Sequence, residues 1–538
     1  MGGWDMAREG WYLGRQSATG KMARMGRGVV AVLAATVAVF AVAAAEADAA
    51  RVHAVTPVSD KTPFEPCPFT APLPFTEREW NPPDTAQEPS IAVDPNNPDR
   101  IASAWMQDFA GGIVVGFTSD GGKTWRRSIV PGISKCSKSG EEGKGAAADP
   151  RVTFGPDGTL LLSAMADIVL ELGRTTPNVA VVVTSSPDGG ATWRKATVVE
   201  PQNGYNDWPF VAVAPDDPKR VYITFTKATE PLGNALFTMF ATSRDGGHTF
   251  DSPRPIFRST ENTGFYYSNG SLVAESRGRL TAVLWNIEGL NYFPVVRTSS
   301  LIPSKIRAIN SGDGGVSWSA PVTVGAQIPN YDFTDEGSGN DIRAGLGPST
   351  GLGADGSLWV VWNDLDGQRG RVMLAQRDSD GEWKQPREVL PWSDRRILFP
   401  LIAQAPSGEL GLMWFDDRVD GPEDKIYAVD AWFALSRDKG RSFDAPLHLA
   451  GPMDFNKAWA DARGGEEKNE RFVGDYMAMT ATKRGFLGAL VFTAPVTQLE
   501  LAYSQLFVAD VRLPAAARPA PHDRRMKARR NHHRRHHR

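Results

Sequence analysis

Four acids (Glu88, Asp149, Asp207 and Asp475), three arginines (Arg151, Arg343 and Arg418) and Tyr476 occupy two recurring kinds of position in this sequence of 538 residues. All but Arg418 stand where the chain enters a short apolar stretch; Arg418 follows Asp416-Asp417, where the chain leaves one. Carboxyl groups in such places can give and take protons. Arginine forks hold anions through paired hydrogen bonds, and tyrosine contributes a phenol. A ring of these residue types on one face is more than the upkeep of a fold requires.

The elements that must position them repeat. Glu88-Pro89-Ser90-Ile91-Ala92-Val93-Asp94-Pro95 is followed by Arg100-Ile101-Ala102-Ser103-Ala104-Trp105, an apolar strand, a turn and a second strand. The phrase returns from Asp149, from Asp207, and near Asn269, Arg343, Phe399 and Gly474, seven occurrences in all. A second motif runs out of phase with it. Thr118-Ser119-Asp120-Gly121-Gly122-Lys123-Thr124-Trp125 recurs from Ser186, Ser243, Ser311 and Ser436, with a worn copy from Gln376, at spacings of 57 to 68 residues. Such a period marks an array of similar supersecondary units. Asp-Gly-Gly supplies a tight turn, since Asp bonds nearby backbone N–H groups and Gly accepts positive φ. With a third strand leading into this turn and a fourth leaving it, each unit has four antiparallel strands, and no long helix is expected. Antiparallel alternation then puts the turns on one face and the acids, arginines and Tyr476 on the other.

The pattern S/T-x-D-x-G-x-T/S-W/F is the Asp box, and the chain resembles the Asp-box (BNR repeat) β-propellers typified by sialidases. The fold expected is all-β, a propeller of four-stranded antiparallel blades with the boxes between third and fourth strands. The strand phrase counts seven blades; six, as in sialidases, is the alternative. The resemblance implies an exo-acting glycoside hydrolase on terminal acidic sugars. In that chemistry Arg151, Arg343 and Arg418 clamp the substrate, Tyr476 or Tyr267 is the nucleophile, and Glu88, Asp149 or Asp207 serves as acid or base. Asp475 joins the substrate-binding set. The sialidase Arg-Ile-Pro phrase ahead of the first box is absent, and Gln87-Glu88-Pro89-Ser90-Ile91 stands there. A non-catalytic propeller that binds glycans or proteins through the same face is the second reading.

Outside residues 87–514, assigned to the propeller, the chain divides simply. Residues 1–49 read as a signal peptide, with Arg24 and Arg27, an apolar run from Val29 to Ala45 and Ala47-Asp48-Ala49 as the cleavage site. An uncleaved membrane anchor is the alternative, and the protein is expected to be secreted or held at the cell envelope. Residues 50–86 form an extended, proline-rich lead-in. Residues 515–538 form a disordered His/Arg-rich tail of net charge +8, a candidate contact for anionic envelope polymers. The body between Ala50 and Pro514 carries −12, which argues against nucleic acid as its partner. A glycan is the expected ligand and a monomer the expected state. Cys67 and Cys136, the only cysteines, are expected to pair in an oxidising compartment, two buried thiols being the alternative. No cofactor or metal site is expected, apart from the allowance of a structural Ca²⁺ at Asp364-Leu365-Asp366-Gly367 or in the stretch from Asp332 to Asp341.

Overall fold

The computed structural model describes residues 49–64, 84–137, 145–169, 177–228, 236–258, 271–287, 304–327, 332–335, 337–345, 347–366, 369–390, 395–421, 426–461, 470–493 and 504–514. Residues 1–48, Cys67, Tyr267, Leu499–Tyr503 and residues 515–538 lie outside them. Ala50–Leu513 is one compact unit. Its described residues contain β-strands and two short 3-10 turns, arranged as eight four-stranded sheets.

Strand β1 (Arg51–Pro57) comes first in the chain. The first sheet then takes four strands in sequence order, β2 (Ala86–Val93), β3 (Ile101–Gln107), β4 (Gly112–Thr118) and β5 (Arg126–Ile129). The second comprises β6 (Ala146–Phe154), β7 (Leu160–Val169), β8 (Asn178–Ser186) and β9 (Thr197–Glu200). The third comprises β10 (Asn206–Ala214), β11 (Asp217–Ala228), β12 (Leu236–Ser243) and β13 (Arg254–Arg258). The fourth comprises β14 (Ser271–Ala274), β15 (Leu280–Ile287), β16 (Ser304–Ser311) and β17 (Val322–Gln327). Two short strands, β18 (Asp332–Thr334) and β19 (Asp341–Arg343), intervene before the fifth sheet. That sheet comprises β20 (Ser349–Leu352), β21 (Leu358–Asp366), β22 (Arg369–Arg377) and β23 (Arg387–Glu388). The sixth comprises β24 (Ile397–Gln404), β25 (Leu410–Asp416), β26 (Ala428–Ser436) and β27 (Leu447–Asp454). After two more short strands, β28 (Trp459–Asp461) and β29 (Glu470–Phe472), the seventh takes β30 (Ala478–Thr482), β31 (Gly485–Thr493) and β32 (Ser504–Arg512). Its fourth strand is β1, antiparallel to β32 with Arg51 opposite Arg512, so part of the lead-in belongs to the last sheet.

The arrangement is propeller-like. Each first strand packs on the next, β2 on β6, β6 on β10, β10 on β14, β14 on β20, β20 on β24, β24 on β30, and β30 again on β2. Sheets covered on both faces need unbroken apolar strands, where a half-solvated sheet would alternate. Accordingly Ile101–Gln107, Gly112–Thr118 and Gly485–Thr493 are buried at every residue, whereas the outer strand Arg126–Ile129 is exposed or half-buried throughout. The tryptophans that close the second-strand phrases, Trp105, Trp285, Trp362 and Trp414, are fully buried between sheets.

The repeated turn Thr118–Trp125 joins β4 to β5. Asp120 Oδ1 accepts from the Lys123 and Thr124 N–H groups at 2.9 and 3.0 Å, and Oδ2 accepts from the Thr124 hydroxyl at 2.6 Å. Gly121 and Gly122 take φ of 76° and 88°, the left-handed region that glycine tolerates. The same bonds recur around Asp188, Asp245, Asp313 and Asp438. Neighbouring sheets are tied here as well: Trp193 Nε1 of the second turn donates to Ser128 Oγ of β5 at 2.9 Å.

The eighth sheet is the element that the sequence phrase misplaced. Arg343, counted there as the entry to the fifth repeat, belongs instead to a sheet ordered β18-β19-β29-β28, built from two insertions more than a hundred residues apart. Its central pair is parallel, with Arg343 opposite Phe472. Phe472 packs on Phe109 of the first sheet's loop, with ring centroids 6.2 Å apart, and Phe333 packs on Tyr427 of the sixth at 5.5 Å.

Candidate functional site

Four first strands carry the same distortion. Glu88, Asp149, Trp208 and Phe399 have φ of 54°, 55°, 51° and 50°, and each precedes a proline. A register shift marks each place, between Gln87 and Ser90, Ala148 and Arg151, Asp207 and Phe210, and Leu398 and Leu401. Left-handed backbone costs an L-residue about 1–2 kcal/mol, and a following proline narrows the choice further. The bulge turns the side chain aside from the pleat, and proline, having no N–H, wastes no ladder donor there.

Two of the four bulges present acids, and these link neighbouring sheets. Glu88 Oε2 accepts from the Asp149 N–H at 3.3 Å, and Asp149 Oδ2 from the Trp208 N–H at 3.2 Å. Asp207 adds a third carboxyl group, its Oδ2 accepting from the Tyr205 hydroxyl at 2.7 Å. The Asp149 carboxyl group donates to Glu88, and the Asp207 carboxyl group donates to Asp149. Burial pushes Glu88 up to about 7, aided by the Asp475 charge and opposed by its bond to Asp149 and by Arg343. Burial likewise lifts Asp149 and Asp207 well above the usual carboxylate range, each aided by its neighbour's charge. The result is a row of three adjacent carboxyl groups whose burial and mutual charge favour the protonated form.

Around the row stand the remaining candidates. Asp475 receives Arg343 in a bidentate grip, with Nε to Oδ1 at 2.7 Å and Nη2 to Oδ2. Tyr476 is boxed by Trp208, edge-on with centroids 6.3 Å apart, and by the Arg151 guanidinium, 3.2 Å from its ring centre. Its buried hydroxyl has no hydrogen-bond partner. Burial lifts this phenol well above 10, while Arg151 favours its ionisation. Arg151 also lies 4.3 Å from the centre of the Phe210 ring, and among the described residues its guanidinium makes no hydrogen bond or ion pair. It is a half-buried cation held by aromatic faces, with its donors unspent.

Glu88, Asp149, Asp207, Asp475, Arg151, Arg343 and Tyr476 thus come together. Arg418 does not join them. It folds outward over Trp432 of β26, 3.9 Å from the ring centre, and bonds Asp416 through Nε at 2.8 Å and Nη2 at 2.5 Å. Position in a loop does not fix the side on which a long side chain lies, and here Trp432 and Asp416 offer it both stacking and charge. Sequence reasoning gave no role to Trp208, Phe210, Tyr205 or Gly474. The X-Pro steps Glu88-Pro89, Asp149-Pro150 and Trp208-Pro209 were the available signal.

A cavity of about 350 Å³ lies at the opposite ends of the same first strands, lined by residues such as Ile91, Val93, Phe154, Val213 and Thr480, and touches no member of the row. At the two stretches considered for calcium, Asp364 Oδ2 accepts from Arg371 at 2.7 Å and Asp341 Oδ1 from the Thr334 hydroxyl at 2.7 Å. Among the described residues no group of three or more His, Cys, Asp or Glu side chains is placed to hold a metal. Cys136 is disulfide-bonded, and Cys67 is the only other cysteine in the chain.

No family model matches this sequence, and no curated protein matches it. Solved structures do. One is an ulvan lyase from a new polysaccharide lyase family, PL25, with 11% identity and a TM-score of 0.48 over 80% of this chain and 94% of that one. Another is a leech intramolecular trans-sialidase complexed with 2,7-anhydro-Neu5Ac, with 13% identity and a TM-score of 0.38 over 66% and 68% of the two chains. A third is a Penicillium chrysogenum α-L-arabinanase complexed with arabinobiose, with 14% identity and a TM-score of 0.38 over 68% and 92%.

Proposed function

We propose that this protein is a seven-bladed, carbohydrate-active propeller whose carboxyl row cleaves a glycan bearing an acid group. Support for seven blades comes from the seven sheets in meander order, the cyclic packing of their first strands, and the completion of the last by β1. The observation that carries the chemistry is the buried, mutually bonded row Glu88–Asp149–Asp207 beside the uncommitted guanidinium of Arg151. Asparagine or glutamine would accept the same N–H bonds without the cost of burying ionisable groups, so stitching the sheets together does not account for three adjacent acids. A carboxyl group that burial keeps protonated can donate to a leaving glycosidic oxygen, and the carboxylate so formed can then take a proton back from the water that completes hydrolysis. Arg151 would take the acid group of the sugar, its fork suited to a carboxylate or sulfate. Tyr476, with Arg151 against its ring, would be the nucleophile that the Asp-box resemblance assigns to it, its phenol proton passing to an ionised carboxylate such as Asp475 as the oxygen bonds the sugar and the glycosidic bond breaks. Export through the N-terminal leader fits the oxidised state of Cys136.

Non-catalytic binding of an acidic glycan is the second reading. It is favoured by Arg343 and Arg418 being already saturated by Asp475 and Asp416, so that no three-arginine clamp stands assembled. Purified protein incubated with sialosides and uronate-containing polysaccharides separates the two. Catalysis predicts new sugar ends with the wild type and none with Asp149→Asn. Binding of the glycan without new ends in either protein would refute catalysis.

A further inference from the structure

The parallel strands β19 and β29 bring two remote insertions into register, placing Arg343 opposite Phe472. Three residues on from Phe472 the chain reaches Asp475, which Arg343 holds by both oxygens. The guanidinium itself sits over the Phe472 ring, 4.9 Å from its centre. Between them Gly474, at φ of 126°, passes so close to Glu88 that an added Cβ would lie 2.5 Å from the Glu88 nitrogen. The accessory sheet, its arginine and the glycine step therefore fix where a fourth carboxylate stands relative to the row.

We propose that Arg343 is a positioning residue: by gripping Asp475 from the accessory sheet it fixes that carboxylate against Glu88 and so couples the state of the row to the docking of the two insertions. This rests on the functional reading only in taking the row to be the reactive group. The charged groups that face Glu88 are Asp475 and Asp149, which differ in effect, and Arg343. The Asp475 charge favours the protonated acid and the Arg343 charge the ionised one, while the Asp149 N–H and side chain favour the ionised form by hydrogen bonding. Beyond Asp149 the row continues to Asp207, which bonds Tyr205, and Tyr476 and Arg151 flank it. An arginine that merely glued the insertions together would leave the proton affinity of Glu88 indifferent to the geometry of its grip.

The test needs no substrate, so its failure is distinct from failure of the glycan reading. In protein labelled with ¹³C at glutamate carboxyl carbons, the Glu88 signal is assigned by its loss in Glu88→Gln and followed against pH. The wild-type midpoint is expected near 7. Asp475→Asn is expected to move it down, Arg343→Met up, and Arg343→Lys, which keeps the charge and loses the fork, up by a smaller step. An unchanged midpoint in Asp475→Asn, or full restoration by lysine, would overturn the positioning role. Should Arg343→Met fail to fold, as read by circular dichroism, Asp475→Asn and Arg343→Lys decide the matter.

Discussion

Replacing Glu88 by glutamine keeps the shape of the side chain and an oxygen to accept the Asp149 N–H, and removes only the ability to ionise. In the folded protein Glu88 titrates at about 7, against 4.5 for an ordinary glutamate. The folded state therefore binds more protons than the unfolded chain between those values, and stability must fall as pH rises through that window. The contribution is fully present below about pH 4.5 and lost above about pH 7. The gap of about 2.5 pH units between the two values, at 1.36 kcal/mol per unit, amounts to about 3 kcal/mol. Glu88→Gln carries no such loss. Urea unfolding of both proteins at several pH values between 4.5 and 8 measures the gap directly. The variant is expected to gain on the wild type steadily across this range, by about 3 kcal/mol at its upper end. A gap that does not grow with pH, or a variant less stable at pH 8, would show that Glu88 is not held protonated by its surroundings.

Three further outcomes follow from the geometry. The Asp313 carboxylate, held by the Ser317 hydroxyl and N–H, titrates at about 2, so it stabilises the fold above pH 4 and loses that contribution as pH falls toward 2; thermal melts should show Asp313→Asn below the wild type at pH 7 and level with it near pH 2. Gly474→Ala would drive a methyl group against the Glu88 backbone at a φ of 126°, and chemical denaturation should register a loss of about 1–3 kcal/mol. Arg418→Ala lies outside the row, so glycan binding or cleavage should remain within about twofold of wild type, a ratio that steady-state assay reads and that a tenfold loss would contradict.

The repeated turns and the strand phrase were legible because each unit must solve the same packing problem, leaving the same Asp-Gly-Gly and the same buried tryptophan at every pass. The facing of the acids followed from strand alternation alone, and seven of the eight candidates do meet. What the sequence did not disclose depends on distance along the chain. Strand β1 reaches its partner β32 across the whole unit, and β19 finds β29 more than a hundred residues away through three residues each. Neither carries a local signature. Arg418 shows a different limit: its loop was correctly placed at the end of β25, but the competition between the central site and Trp432 is settled by packing that no spacing encodes. The X-Pro bulges were visible as Glu-Pro, Asp-Pro, Trp-Pro and Phe-Pro, yet proline after a strand's first residues ordinarily signals an edge, and only the backbone shows the left-handed residue ahead of it.

The central claim is that Arg151 presents an acidic glycan to the carboxyl row. It is tested most directly by comparing cleavage of one uronate-containing polysaccharide with cleavage of its carboxyl-reduced, neutral counterpart, using wild type and Arg151→Met. The wild type is expected to release new sugar ends from the acidic polymer at least tenfold faster than from the neutral one, and Arg151→Met to lose that preference, the loss of one charge-assisted contact being worth about 1.5–3 kcal/mol. Equal rates on both polymers, or a preference that survives Arg151→Met, would contradict it.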